Sequence, residues 1–204
     1  MTADDDPEPR PEIPQRRQLT DAKEMRALAH PIRVALLELL TRDGPMTATE
    51  AGEVLGESPA NTSFHLRTLA KFGFVEEAPG GTGRQRPWRR VGLGHSFDLD
   101  SDDPTTTAAA TGLADHVAQR AYERRREWNL TRRSFPKEWR DAEFAYDIMT
   151  YMTPGELADL GASIQALLDP YRVRLVDQDS RPEGAGPMSF AAVGFPLPPT
   201  SKGN

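Results

Sequence analysis

The stretch GESPANTSFHLRTLAKFG, residues 56–73, decides the fold. Gly56 suits a left-handed helix end, because it has no Cβ to clash in that conformation. Ser58 and Pro59 then open a new helix. The serine hydroxyl can accept from an otherwise free backbone N–H, and a proline in the first helical position gives up no hydrogen bond. Thr62, Leu66 and Leu69 recur at i, i+4 and i+7 and so define one inward face, and Gly73 ends the helix. Only Gly56, Glu57 and Ser58 separate this helix from the one before it. A link that short makes the two helices cross.

The preceding helix opens on a capping box, Thr47 to Glu50, and continues through Ala51, Val54 and Leu55. Upstream of it, Pro31 starts a helix carrying Val34, Leu37, Leu39 and Leu40, which stops at Asp43-Gly44-Pro45. His30 reads as a helix-start residue rather than a metal ligand. A first helix spans about 20–29, with Met25, Leu28 and Ala29 at helical spacing. Downstream, Phe74-Val75 and Trp88 to Val91 read as two short strands around a Gly-rich loop, residues 79–83. That loop is a turn and not a phosphate cradle, since no Lys-Ser/Thr pair and no helix follow it.

The fold class is therefore mainly α with a small β-hairpin wing: a winged helix-turn-helix followed by a C-terminal helical dimerisation or sensor region. Residues 1–18, acidic and Pro-rich, read as a disordered tail. The winged unit occupies 19–92, a polar linker 93–107, and the helical region 108–204. Within the last, 108–130 forms a helix with Ala110, Leu113, Val117 and Ala121 along one stripe. Residues 137–151 are dense in apolar side chains. Thr153 and Glu156 form a second capping box, opening a helix that Asp169-Pro170 closes. Residues 188–197 alternate weakly, as a strand would.

Three motifs, Leu28-Ala-His-Pro-Ile-Arg33, Ser63-Phe-His-Leu-Arg-Thr-Leu69 and Gly73-Phe-Val75, resemble the ArsR-like (arsenic-repressor-type) winged helix-turn-helix transcriptional regulators. The resemblance covers about residues 19–92 and implies a homodimer bound to double-stranded DNA. The second helix of the pair, about 58–72, is then a recognition helix for a major groove about 12 Å wide. With Thr62, Leu66 and Leu69 inward, Asn61, Ser63, Phe64, His65 and Thr68 are the candidates for base edges. Ser58 at the helix start is suited to a phosphate. Arg67 and Lys71 add backbone contacts. Arg84, Arg86, Arg89 and Arg90 place four guanidinium groups on the wing, for phosphates or the minor groove. The alternative is a winged-helix module that binds a protein partner rather than DNA.

Composition constrains the rest. The 204 residues are 37% hydrophobic and 27% charged, with a net charge of -6. The acids cluster at the N-terminus, whereas residues 58–92 hold six Lys/Arg against Glu76 and Glu77, so the charge sum does not argue against DNA. There is no cysteine, which removes disulfides, thiolate ligands and cysteine nucleophiles together. The family's metal-sensing patterns are not matched: Asp115-His116 lacks a correctly spaced second histidine. No cofactor, metal site or enzymatic activity is expected. With no secretion signal or membrane-spanning run, the expected location is cytoplasmic. The stripe Leu113, Val117 and Ala121 is a candidate dimer interface. Trp139, Phe144, Tyr146 and Tyr151 are candidates to line a pocket for an apolar small-molecule effector.

Overall fold

The computed structural model describes residues 16–81, 86–175 and 177–198. The element order is β1 (Arg17–Leu19), α1 (Ala22–Leu28), α2 (Pro31–Asp43), α3 (Ala48–Leu55), α4 (Pro59–Lys71), β2 (Val75–Glu77), β3 (Trp88–Arg90), β4 (His95–Phe97), α5 (Pro104–Thr131), α6 (Lys137–Asp141) and α7 (Pro154–Arg172). Short 3-10 turns follow α5 and α7.

The local signals act as the sequence requires. Asp21 caps α1, and His30 caps α2 by accepting from the Ile32 N–H through Nδ1. Thr47 and Glu50 close the reciprocal box on α3, and Gly56 ends that helix at φ 70° in the left-handed region. Ser58 caps α4 by accepting from the Asn61 N–H. The mainly helical winged fold with a small antiparallel strand pair is thus the one expected. Strands β2 and β3 pair with Val75 opposite Arg90, Glu76 opposite Arg89 and Glu77 opposite Trp88.

One core holds the winged unit together. Leu28 of α1, Leu36 and Leu40 of α2, Ala51 of α3, Leu66 and Leu69 of α4, and Phe74 just before β2 are all buried in it. Each such large apolar side chain contributes about 1.5–3 kcal/mol by leaving water. The same core takes in Ala109, Ala110 and Leu113 from the first turns of α5, which pack on α1.

Several expectations need correction. The tail expected through residue 18 ends earlier among the described residues: Arg17–Leu19 form β1, paired in parallel with β4, and Leu19 is buried. The segment 93–107 is not simply a linker, because it contains β4 and the start of α5, which Asp103 caps. Pro170 lies inside α7 rather than after it. Near the last turn its missing N–H removes a single bond, so the helix runs on to Arg172. Residues 188–197 form no strand. Leu113, a candidate for the dimer interface by its spacing, is fully buried within its own chain, whereas Val117 is exposed and Ala121 half-buried. Beyond Leu113 no described residue is buried.

Leu113→Ala should therefore lower unfolding stability by about 2–5 kcal/mol in chemical denaturation, the usual range for a truncated core leucine. Val117→Ala should change it by no more than about 0.5 kcal/mol, as exposed sites do.

Candidate nucleic-acid interface

The turn from α3 to α4 is tight because Glu57 donates its N–H to Gly52 O at 2.8 Å while Thr62 donates its hydroxyl to Ser58 O at 3.1 Å. The inward face of α4 is Thr62, His65, Leu66 and Leu69, all buried. The opposite face carries Phe64, Arg67 and Lys71, exposed, flanked by half-buried Asn61, Ser63 and Thr68. Asn61 Nδ2 donates to a Glu57 carboxylate oxygen at 2.7 Å. Arg67 donates to Ser63 Oγ at 3.0 Å, and the Thr68 hydroxyl donates to Phe64 O. Phe64, 58% exposed, stands free of the core.

His65 is a correction. Its polarity makes it a candidate for base reading, yet it is only 6% exposed and points inward. Its ring lies 4.5 Å from that of His30, and its Nδ1 has no hydrogen-bond partner. Burial pushes both histidines below the ordinary imidazole range. For His30 the neighbouring His65, Arg33 and His116 push the same way and Glu57 opposes; for His65, Arg33 pushes down and Glu57 opposes. The pair is thus a part of the scaffold beneath α4 that is held toward its uncharged form, with Arg33 beside it.

On the wing, Arg84 lies outside the described residues. Arg86 pairs with Glu77 at 2.9 Å and Arg89 with Glu76 at 2.6 Å, the latter directly across the ladder. Arg90 is a second correction. It turns inward and donates to Thr41 Oγ1 of α2 at 2.6 Å, and burial lowers its pKa. It fastens the wing to α2 and does not face outward. Of the four guanidinium groups expected on the wing, Arg86 and Arg89 are the two that the described residues display.

Arg17, read from the sequence as part of the N-terminal tail, belongs to this region. It donates to Phe72 O at 2.6 Å, pairs with Glu24, and its guanidinium sits 5.3 Å from the centre of the Phe74 ring. It thereby holds the carboxyl end of α4, where unpaired carbonyls favour a cation. The aromatic group Trp139, Phe144, Tyr146 and Tyr151 does not enclose a pocket: Phe144, Tyr146 and Tyr151 are 60%, 89% and 103% exposed. A shallow open groove lies elsewhere, between α1 and the start of α5, with Arg26, Ala29, Thr105, Ala108 and Gly112 on its walls.

Comparison with known proteins agrees with this geometry at one level. Residues 28–78 match the family of helix-turn-helix domains. No curated protein sequence matches the chain. Among solved structures, a MarR family regulator from Neisseria meningitidis aligns at 18% identity over 72% of this chain and 78% of that one, with a TM-score of 0.30. The heme sensor protein PefR from Streptococcus agalactiae, in complex with heme, aligns at 17% identity over 73% and 80%, also at 0.30. Both scores are too low to bear on the site. Among the described residues, no helix is long and apolar enough to cross a membrane.

The histidines give the fold a pH dependence of defined sign. His95 in β4, edge-on to Phe74 at 4.9 Å, has its pKa lowered from 6.5 to about 4 by burial, then by Arg90 and Arg17. As pH falls below about 6.5, the unfolded chain takes up a proton that the folded chain refuses until about 4. Stability is therefore present above that window and lost on descending through it, by at most about 1.4 kcal/mol per pH unit for this group. Denaturation of the native chain and of His95→Gln between pH 7.5 and 4.5 should show a shallower slope in the variant. Equal slopes would mean that His95 does not carry it.

Proposed function

We propose that the chain is a sequence-specific DNA-binding transcription regulator of the ArsR-like kind, acting as a homodimer, with α4 as recognition helix. The observation that carries this reading is the outward face of α4, where Asn61, Ser63, Phe64, Arg67, Thr68 and Lys71 combine hydrogen-bonding, apolar and cationic groups on a helix the core holds from behind. Thirteen residues of α4 make a rod about 20 Å long, which fits a major groove. The amide of Asn61 can offer its paired donor and acceptor to adenine once it leaves Glu57, and Phe64 suits a thymine methyl. Ser58 sits at the positive end of the helix, suited to a phosphate.

The wing supports the same reading in spite of its balanced charge. Arg86–Glu77 and Arg89–Glu76 are exposed pairs, worth about 0–1 kcal/mol each, so exchanging a carboxylate for a phosphate costs little. Two recognition helices related by a two-fold axis would read half-sites about 34 Å apart.

Selection of bound duplexes from a random-sequence pool tests this directly. A two-fold symmetric site is the expected product, and binding that is absent or insensitive to salt would favour a protein partner instead. Arg67→Ala with Lys71→Ala should weaken binding to every duplex and reduce the slope of log affinity against log salt by about one for each phosphate left unneutralised. Asn61→Ala should cost about 1–3 kcal/mol at one base position and relax preference there. Uniform loss across sequences would remove Asn61 from base reading.

A further inference from the structure

We propose that Glu57 sets which bases Asn61 can read. It fixes the direction of the Asn61 amide, so that Oδ1 faces outward and accepts from the amino group of an adenine or a cytosine. The inference rests on α4 as the reading helix and names the base edges that one of its residues admits. A carboxylate can only accept hydrogen bonds, whereas an amide donates or accepts according to how it is turned. Asn61 Nδ2 donates to Glu57 Oε2 at 2.7 Å. Turning the amide over would set Asn61 Oδ1 against the carboxylate, two acceptors with no hydrogen between them. Glu57 therefore keeps the nitrogen on its own side and the oxygen away from it. Among the described residues Oδ1 takes no donor, yet it is not buried, so it opens to solvent.

Glu57 can act this way because it is itself held. Its N–H donates to Gly52 O at 2.8 Å, and its carbonyl oxygen sits where a Cβ on Gly52 would come within 2.7 Å. The half-buried carboxylate thus starts from a backbone pinned to α3. Capping does not need it, since Ser58 Oγ already accepts from the Asn61 N–H at 3.2 Å. The other polar groups on the outward face of α4 have no such restraint. Ser63 Oγ accepts from Arg67 at 3.0 Å, and the Thr68 hydroxyl donates to Phe64 O at 2.9 Å. A hydroxyl rotates to suit a donor or an acceptor. Asn61 cannot do so while Glu57 holds it.

The major groove turns that restraint into a choice of base. Adenine N6 and cytosine N4 are donors there, whereas guanine shows N7 and O6 and thymine shows O4, all acceptors. An outward Oδ1 is paired by either amino group and meets only lone pairs on guanine or thymine. An amide free of Glu57 can turn either way and find a partner on any of the four. Holding Asn61 in one orientation before DNA arrives also lowers the entropy lost on binding. Glu57 acts through Asn61 and is a positioning residue.

The test uses the full chain and duplexes that differ only at the base whose preference Asn61→Ala relaxes. The native chain should bind adenine or cytosine there about tenfold more tightly than guanine or thymine. Glu57→Gln keeps the length of the side chain but can accept from Nδ2 or donate to Oδ1, so it no longer fixes the amide. With helical circular dichroism unchanged, it should bring that ratio down to about twofold or less, and Glu57→Ala should do the same. Loss of a carboxylate also strengthens binding to every duplex by easing repulsion from phosphates, but a ratio between duplexes is blind to that uniform gain. In an Asn61→Ala background, Glu57→Gln should leave the remaining preference as it is, because no amide is left to position. Four results would overturn the role of Glu57 while leaving α4 as the reading helix: a native preference for guanine or thymine, an unchanged ratio in both Glu57 variants, a shift that persists without Asn61, or a loss in Asn61→Ala that is equal for all sequences. A native chain that binds no duplex would overturn the DNA reading and this role with it.

Discussion

The contact on which the recognition unit depends is the approach of Gly52 to the turn that follows its own helix. A Cβ at Gly52 would lie 2.7 Å from the Glu57 carbonyl oxygen and 3.0 Å from Thr62 Oγ1. The first distance is shorter than a carbon and an oxygen tolerate and the second is tight, and the first is to backbone, so glycine is what lets the turn close over α3 with Thr62 seated against it. From that seat the rest follows by hydrogen bonds. Leu69 O accepts from the Phe74 N–H, and Phe74 O accepts from the Val91 N–H, so the position of α4 is passed directly to both strands of the wing. Met46 then exchanges two backbone bonds with Trp88, tying the wing to the segment that leads into α3.

Cations around this unit divide by what they bind. Arg17 and Arg90 are structural: one holds the last turn of α4, the other joins the wing to α2. Arg86 and Arg89 are exposed and held by carboxylates, and Arg67 and Lys71 are exposed on α4 itself. With a net charge of -6, attraction to a polyanion must come from these few groups at short range, because screening removes the contribution of distant charges beyond about 10 Å in ordinary salt. A weak cross-strand pair suits such a role, for it keeps two long side chains oriented without committing them.

Helix boundaries were legible because the chain states them chemically. Thr47, Ser58 and Thr153 each cap as their residue types require, and proline opens α2, α4, α5 and α7. Reading the faces was harder. His65 lies three residues after Thr62, on the same inward stripe as Leu66 and Leu69, so its spacing predicted burial while its polarity suggested a reading role; packing won. Arg90 gave the same kind of signal. In a strand, residues two apart share a face, and Arg90 stands with Trp88 rather than with Arg89. Strands β1 and β4 left no trace in sequence, since three residues are too few to show alternation and their partners are 78 positions apart. Pro170 misled because the rule against helical proline weakens at the last turn, where few backbone bonds remain to be broken.

The long helix α5 changes what the C-terminal region can do. A polar linker after the wing would have left that region free to move, but β4 and the buried first turns of α5 anchor it to the core. Farther along, Glu38 of α2 accepts from both Arg120 and Arg124 of α5, one turn apart, and Arg124 also donates to Ser189 near the chain's end. These groups are about two-thirds buried, and a shared carboxylate between two guanidinium groups is worth more than isolated surface pairs. Because α2 also packs on α4, α4, α2 and α5 are joined by helix packing and ion pairs, with Ser189 held to α5 by a hydrogen bond. The start of the C-terminal region is therefore held to the winged unit by packing rather than joined to it by a free linker.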